Sequence, residues 1–300
     1  MIKIETIKLN FKIICETTLK IASSLYTILT IILTFISWAD LDINSISCRI
    51  SILILIFVLS VISAIMYICL IKTEVTIWKK GNGIIKARYD DIMKIAFNKG
   101  KKNNKRIVVI PVNTCFDTIV DDDISKFDKP LVSSKTIHGK WIKKFIKQGI
   151  SIDELDKRIN NSLDKQAIKP LFSIPEKEKN RGKRQEYEKG TIAIVKGNPN
   201  VEFFLLALSK FDENNNAQCS KDELIEIIHK LILFYNKNGQ GYELFLPLMG
   251  TNLSRVGISH EEALSLLESS FKLYSDEIHG KINIIIYNKE KNKVAICKNK

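Results

Sequence analysis

The sequence predicts an α/β protein with an N-terminal transmembrane helical hairpin, followed by a domain built on a mixed central sheet. Three observations support this fold class. Two long apolar runs without charge lie in the first quarter of the chain. Beyond them, apolar segments of strand length alternate with amphipathic helical segments, an arrangement typical of α/β domains. Two of the strand segments end in polar loops, which indicates a binding site at one edge of the sheet.

The two apolar runs cover about residues 21–38 and 50–71. Around 20 residues span the hydrocarbon core of a bilayer, and about 17 or 18 can suffice. The connector at 39–49 is too short to form a domain. We therefore expect a membrane-anchoring segment at 1–72 and a cytosolic domain at 73–300. A signal peptide followed by a buried helix is the alternative, but the first run lacks a small-residue cleavage motif.

Charged residues predict the orientation of the hairpin. Lysines precede the first apolar run and follow the second, whereas the connector carries two aspartates and one arginine. Because cytoplasmic flanks carry the excess of basic residues, both termini and the domain should be cytoplasmic.

Composition argues against nucleic-acid and metal binding. The formal net charge is +13, but the Lys/Arg clusters at 99–106 and 177–184 contain no aromatic residue for base stacking. Attraction to an anionic membrane surface, about 1 kcal/mol per basic residue, is a simpler use for them. The 6 cysteines show no CxxC spacing and the 4 histidines are scattered, so neither a disulfide framework nor a metal site is expected.

Periodicity and capping predict the elements of the domain. A glutamate three residues after Ser151, Ser220 and Ser259 completes a capping box at the start of three helices, and another helix ends at Gly149. Residues 169–185 are charged and contain two prolines, so we expect a solvated loop there. The expected strands lie at 74–78, at the start of 84–97 ahead of a polar turn and a short helix or loop, and at 107–110, 190–195, 203–211, 242–248 and 281–288.

Polar loops follow the strands at 107–110 and 242–248. In the first loop, Asn113, Thr114 and Asp117 could offer an amide and a carboxylate to a ribose or a base. Because ligands bind where loops diverge at the carboxyl ends of strands, we expect the two loops to form the mouth of one site. The alternative for the first loop is a solvated turn.

The second loop, "GTNLSRVG" at 250–257, leads into a capped helix. Gly250 and Gly257 leave backbone N–H groups uncovered, which suits a phosphate or pyrophosphate at a helix N-terminus. Thr251 and Ser254 can donate hydroxyl hydrogens, and Arg255 can pair with an anion. A plain connector is the alternative for this loop.

Four segments, taken in order, resemble the macro domain, a fold that binds ADP-ribose and related nucleotides. They are "ARYDDIMKI", "VVIPVNTCFD", "TIHGKWI" and "PLMGTNLSRVG", and the resemblance covers Glu74 to Tyr287. It implies a macro-like three-layer α/β/α domain. It also implies that Asp91, before Ile92, meets the adenine, although Asp90 replaces the glycine of the family.

The same resemblance implies roles for the other candidate binding residues. The loop with Asn113, Thr114 and Asp117 would face the distal ribose, and His138 with Gly139 would belong to a glycine-bearing loop. An asparagine stands in place of the second glycine of the phosphate loop, which is tolerable because Asn populates left-handed backbone. The implied phosphate loop consists of Gly250, Thr251, Asn252, Leu253, Ser254, Arg255 and Gly257.

With two membrane spans in front, the chain is similar to the transmembrane-plus-macro effectors of Thoeris anti-phage systems. The segments "IPVNTCFDTIVDD", "SSKTIHGKWI", "GKRQEYEKGT" and "PLMGTNLSRVGISHEEA" carry this closer match. The resemblance implies that a TIR-domain partner makes a nucleotide from NAD and that the macro domain binds this ADP-ribose derivative. The membrane segments would then form homo-oligomers, damage the bacterial inner membrane and abort infection. No catalytic residue, cofactor or metal is implied.

A membrane-anchored macro-type ADP-ribosyl hydrolase is the alternative function. Active members of one such group carry an Asp before the glycine of the middle loop, where this chain has His138. An imidazole cannot replace a carboxylate base at the same geometry without other changes. Asp117 and the acids at 121–123 remain available, so hydrolysis stays open.

The second apolar run contains two small residues four apart, Ser60 and Ala64. Small residues at this spacing suit close helix packing in a membrane. They could serve contacts between chains or pack the hairpin against itself, and the sequence leaves both possibilities open.

Overall fold

The computed structural model describes residues 2–97, 105–127, 130–197, 200–211, 217–251 and 257–297. The chain divides into two compact units, one formed by Met1–Val75 with Lys289–Lys300 and the other by Thr76–Asn288.

The N-terminal unit contains two helices long and apolar enough to cross a bilayer. The mean hydropathy of the most apolar window is 1.6 in the first and 2.9 in the second. The first helix begins well before the predicted run at 21–38, because charged side chains such as Lys12 and Glu16 are compatible with helix. The helices are α1 (Ile4–Leu9), α2 (Phe11–Phe35) and α3 (Ile46–Met66), and a π-helical turn at Tyr67–Ile71 extends α3.

Helices α2 and α3 pack against each other through small and apolar side chains. Ser60 and Ala64 are fully buried, and Ala64 belongs to an apolar cluster with Ile14 and Ile68. The hydroxyl of Tyr26 on α2 donates a hydrogen bond of 2.8 Å to a backbone carbonyl oxygen of α3. The two small residues therefore pack the hairpin against itself.

The second unit is built on an eight-stranded mixed sheet. Its strands are β1 (Glu74–Lys80), β2 (Gly83–Asp90), β3 (Arg106–Asn113), β8 (Ile192–Lys196), β9 (Val201–Phe211), β10 (Ala217–Gln218), β11 (Glu243–Pro247) and β12 (Lys281–Tyr287). Two short pairs lie outside it: β4 (Val120–Asp121) with β5 (Val132–Ser133), and β6 (Phe172–Ser173) with β7 (Gln185–Glu186). The strand order is β1-β2-β12-β11-β3-β9, and β8 and β10 both pair with β9. Neighbours from β2 to β9 are parallel, whereas β8 and β10 are antiparallel to β9.

Helices cover both faces of the sheet. Consecutive side chains on a strand point to opposite faces. On β9, Phe203 packs against Trp141 and Phe145, whereas the next residue, Phe204, packs against Phe234. The first two partners belong to α5 (Ile137–Lys147) and the last to α7 (Lys221–Asn238), so the predicted three-layer arrangement with a mixed sheet is confirmed. The helices of this unit are α4 (Ile92–Phe97), α5 (Ile137–Lys147), α6 (Ile152–Lys165), α7 (Lys221–Asn238) and α8 (His260–Leu273).

The predicted capping boxes are confirmed at two of three helices. Those beginning after Ser220 and Ser259 have both reciprocal hydrogen bonds. At α6 the hydroxyl of Ser151 accepts the N–H of Glu154, but the carboxylate of Glu154 pairs with Arg158 at 2.8 Å instead. An ion pair four residues along a helix thus competes with the second half of the capping box.

The segment at 169–185 differs from the solvated loop that the sequence predicts. Its ends are tied together by the β6–β7 pair, and Lys179 within it is buried. The prediction was wrong at Lys179 because a lysine can be buried where its ammonium group meets a carboxylate.

Candidate functional site

Three of the predicted binding segments meet at the carboxyl edge of the parallel sheet. β2 ends just before Asp91, β3 ends at Asn113, and β11 ends at Pro247 just before the loop with Gly250. Since β2, β12, β11 and β3 are consecutive parallel neighbours, their carboxyl ends lie side by side. This is the edge at which ligands bind in open α/β sheets.

Asp91 begins helix α4 at this edge. One carboxylate oxygen of Asp91 accepts the backbone N–H of Met93 at 2.8 Å, which satisfies a free donor of the helix N-terminus. Asp90, which stands where the macro pattern has glycine, accepts the N–H of Asp91 and pairs with Arg88 at 2.9 Å. Asp91 is half-buried and the next residue, Ile92, is buried. Asp91 thus caps α4 and is partly exposed at this edge.

Asn113 and Asp117 close the loop after β3 by a reciprocal pair of hydrogen bonds. The amide of Asn113 donates to the Asp117 carboxylate at 2.8 Å, and the N–H of Asp117 donates to the Asn113 side-chain oxygen at 3.0 Å. Thr114 is buried, and its backbone bonds to Ser209 and Tyr187. These three predicted ligand contacts are thus engaged within the chain.

A segment of alternating basic residues holds this loop from the other side; we name residues 177–184 the basic strap. The ammonium of Lys179 lies 2.7 Å from the carboxylate of Asp117, which is fully buried. The other Asp117 oxygen accepts the N–H of Lys183 at 2.7 Å. Gly182 has φ +75° and approaches Asp117 so closely that a Cβ would collide with it. Asp117 is therefore a structural anchor of the strap.

Two further ion pairs fasten the same strap. Arg181 pairs with the buried carboxylate of Asp121 at 2.7 Å and lies over the ring of Phe127. Lys183 pairs with Asp156 on α6 at 2.7 Å. A membrane-surface use was predicted for this cluster, but these three cations pair with carboxylates of the domain. Their i, i+2, i+4 spacing is visible in the sequence, but the positive φ of Gly182 interrupts an extended backbone, so the spacing alone does not place Lys179, Arg181 and Lys183.

His138 and Gly139 lie in the first turn of α5, where Thr136 caps the helix by accepting the N–H of Gly139 at 2.9 Å. A Cβ at Gly139 would collide with the carbonyl oxygen of Ser133, so close packing explains this glycine. Burial, together with the positive charge of Lys183, lowers the pKa of His138 to about 3. The imidazole is therefore neutral at physiological pH and is a weak base.

The thiol of Cys115, in the loop after β3, is also unreactive. Burial raises the pKa of Cys115 to about 11. Since the thiolate is the nucleophilic form, Cys115 is inert near neutral pH.

The loop between β11 and α8 is the remaining predicted contact. Gly250 and Gly257 have φ values of +95° and +74°, a conformation that L side chains rarely adopt. A Cβ at Gly250 would press on Ile258 and Leu224 at 3.1 and 3.2 Å, whereas a Cβ at Gly257 would meet no atom of the described residues within 4 Å. Thr251 is half-buried. The predicted contacts outside the described residues are Asn252, Leu253, Ser254 and Arg255.

A family model described as "Thoeris protein ThsA, Macro domain" matches residues 85–287. The chain belongs to the Thoeris ThsA macro-domain family. The Thoeris protein ThsA of Bacillus amyloliquefaciens (strain Y2) is similar to it, at 28% identity over 288 residues, covering 92% of this chain and 86% of the relative.

Solved macrodomain structures from Oceanobacillus iheyensis are more distant neighbours of this ThsA-family chain. A variant with ADPR aligns with a TM-score of 0.46 at 10% identity, covering 75% of this chain and 96% of the other. The same macrodomain with ADP aligns with a TM-score of 0.42 at 10% identity, covering 75% and 94%. Family membership therefore rests on the sequence match, which covers all three candidate loops and every strand of the sheet after β2.

Proposed function

We propose that the chain is a membrane-tethered effector of Thoeris anti-phage defence. Its macro domain binds an ADP-ribose-derived signalling nucleotide made by a TIR-domain partner. Binding favours homo-oligomers of the membrane segments, which disrupt the bacterial inner membrane and abort infection. The observation that carries the proposal is the presence, in one chain, of a ThsA macro domain and two helices of membrane-spanning length.

The site supports binding rather than hydrolysis. The buried acids left available for catalysis, Asp117 and Asp121, are both held in ion pairs with the basic strap. His138, at the position of a catalytic carboxylate in one hydrolase group, is buried and neutral. A general base must reach a substrate proton, and none of these three side chains is free to do so. Release of free ADP-ribose from an ADP-ribosylated protein by the purified chain would support the hydrolase instead.

The loop at Gly257 offers a test of the binding site with a matched control. Asp and Asn have nearly the same shape and both tolerate positive φ, so Gly257→Asp and Gly257→Asn differ only in charge. We expect Gly257→Asp to weaken binding of ADP-ribose at least tenfold relative to Gly257→Asn, because like charges repel in a confined site. Calorimetry on the detergent-solubilised chain measures both affinities. Gly250 is unsuitable for this test, because a side chain there would strain the core.

Equal affinities of the two Gly257 variants would place the anion site away from this loop. Binding of ADP-ribose to neither variant nor to the unsubstituted chain would contradict the proposed ligand class. The denaturation midpoints of the two variants should agree, since a Cβ at Gly257 meets no atom within 4 Å in the part of the chain that the structure describes.

The proposed orientation places both termini in the cytoplasm, as the lysines flanking the hairpin suggest. Cys48 and Cys15 are exposed thiols near opposite ends of the hairpin, whereas Cys297 is buried and unsuitable as a reporter. We expect a membrane-impermeant maleimide to label Cys48 in intact spheroplasts and Cys15 only in inverted vesicles. Cys48→Ser and Cys15→Ser variants identify each signal. The reverse pattern would invert the topology.

A further inference from the structure

Helix α2 carries a stripe of hydroxyl side chains on its exposed surface. Ser23, Thr27, Thr30 and Thr34 are all exposed, and their spacing places them within about 60° of the helix circumference. We name these four residues the hydroxyl face. Residues at −7 and −11 from Ser23, which are Glu16 and Lys12, continue the same side toward the N-terminus.

The two remaining sides of α2 have different surroundings. Thr18 and Ala22 are buried in the hairpin. Ile28 and Ile32 lie opposite the hydroxyl face and are exposed by 54% and 44%, as expected for side chains that contact lipid. One span thus separates a hydroxyl side from an apolar side. The α3 span is more uniformly apolar, with a mean hydropathy of 2.9 against 1.6 for α2.

A cavity runs along the hydroxyl face. Its volume is about 570 Å³, and it is lined by the four hydroxyl residues together with Tyr26 and Phe57. The hydroxyl of Tyr26 holds its wall in place by donating to the carbonyl of Leu53 at 2.8 Å. The rest of the lining is apolar and consists of Leu19, Ala22 and Ile31. The hydroxyl face therefore borders an open groove of mixed polarity.

The hydroxyl groups are compatible with a single chain in the lipid bilayer and with later association of several copies. Thr27, Thr30 and Thr34 each donate to the carbonyl oxygen four residues earlier, at 2.8–3.0 Å. Their donors are therefore satisfied in lipid, while the oxygen lone pairs can still accept hydrogen bonds. Lipid tails offer no donor, but water does, so this face gains hydrogen bonds where associated copies enclose water.

Charges at the end of the face are complementary between copies. Lys12 and Glu16 have no ion-pair partner within residues 2–97 or elsewhere in the described chain. In a closed ring, Lys12 of one copy can form an ion pair with Glu16 of the next copy. This surface is therefore complementary to a second copy of this chain.

We propose that the hydroxyl faces of several copies converge on a water-filled conduit, with α2 lining the conduit and α3 facing lipid. This inference rests on the proposed function, because it specifies how assembled membrane segments breach the bilayer. Two spans cannot enclose a channel, and polar side chains rather than apolar ones line hydrated pores. The hydroxyl face of α2 should therefore contact water, and α3 should contact lipid.

Oxidative cross-linking tests the contact between copies without requiring the activating nucleotide. The full-length chain carries Cys15→Ser and Cys48→Ser, and is reconstituted at high protein density in phosphatidylethanolamine–phosphatidylglycerol vesicles. We expect copper phenanthroline to cross-link Thr27→Cys and Thr30→Cys at least fivefold more than Ile28→Cys and Ile32→Cys. Equal or reversed yields, or no cross-linking at any position, would overturn the assigned face.

Ion flux tests the conduit in the same vesicles. Potassium efflux is measured with ADP-ribose as the probe, or at a protein density where the vesicles leak without it. A cationic methanethiosulfonate should reduce this efflux at least fivefold for Thr27→Cys and Thr30→Cys but not for Ile28→Cys and Ile32→Cys. Thr27→Val with Thr30→Val, which keeps the side-chain shape, should reduce efflux at least tenfold, whereas Ile28→Val should not. Efflux insensitive to all of these would overturn the conduit.

The two proposals fail in different ways. Potassium efflux together with cross-links at Ile28→Cys would be consistent with the effector function but would contradict a conduit lined by the hydroxyl face of α2. Cross-links at Thr27→Cys and Thr30→Cys without efflux, with or without ADP-ribose, would support the contact between copies. They would contradict both membrane disruption and the conduit.

Discussion

Replacing Lys179 by alanine is expected to destabilise the macro domain by about 3–5 kcal/mol, because it leaves the Asp117 carboxylate buried without its counter-charge. Asp117 has no exposed surface and Lys179 only 8%. Urea unfolding of the solubilised chain, followed by tryptophan fluorescence, measures the change. Adding Asp117→Asn to Lys179→Ala should recover part of the loss, since the remaining amide is neutral.

The exposed pair of Lys80 and Asp276 provides the control. Its partners approach to 2.6 Å, but their side chains are 70% and 80% exposed. Solvent-screened pairs contribute about 0–1 kcal/mol, so Lys80→Ala should change little. If Lys179→Ala cost no more than Lys80→Ala, the strap would not be anchored by this ion pair.

Lowering the pH from 7 to 5 is expected to destabilise the domain by about 2 kcal/mol through His138. The pKa of this imidazole falls from its ordinary 6.5 to about 3 on folding. Between these values the unfolded chain binds a proton that the folded chain does not, so stability is present above pH 6.5 and falls as the pH drops. The loss stops near pH 3, where both states are protonated.

A His138→Leu variant should remove most of this dependence between pH 5 and 7. Carboxylates do not produce a comparable slope there, because those with lowered pKa values lose their contribution only near and below the ordinary pKa of about 4. Urea midpoints at pH 5, 6 and 7 compare the variant with the unsubstituted chain. An unchanged slope in His138→Leu would place the titrating group elsewhere.

The sheet and its helices could be predicted because their signals are local. Apolar runs such as 107–110 identify buried strands, and the serine caps at residues 220 and 259 identify helix starts. The parallel pairing then follows from the alternation of strands and helices. Resemblance supplied the order of the loops, and the carboxyl edge brings those loops together.

The use of the polar residues could not be predicted in the same way. Asp117 is separated from Lys179 by more than sixty residues, and a sequence shows each as a plausible surface charge. Only packing reveals that the two are buried together. Similarly, Ser60 and Ala64 suit contacts between helices, but the sequence cannot state which helix they contact. Side-chain roles that depend on long-range pairing are thus the part that the sequence left open.

The order of strands also sets when the sheet can close during synthesis. β12, the last strand of the chain, occupies the middle of the sheet between β2 and β11. The ribosome must therefore release nearly the whole chain before this sheet can close, whereas the hairpin emerges first. The two N-terminal helices can therefore form while the sheet of the second unit is still incomplete.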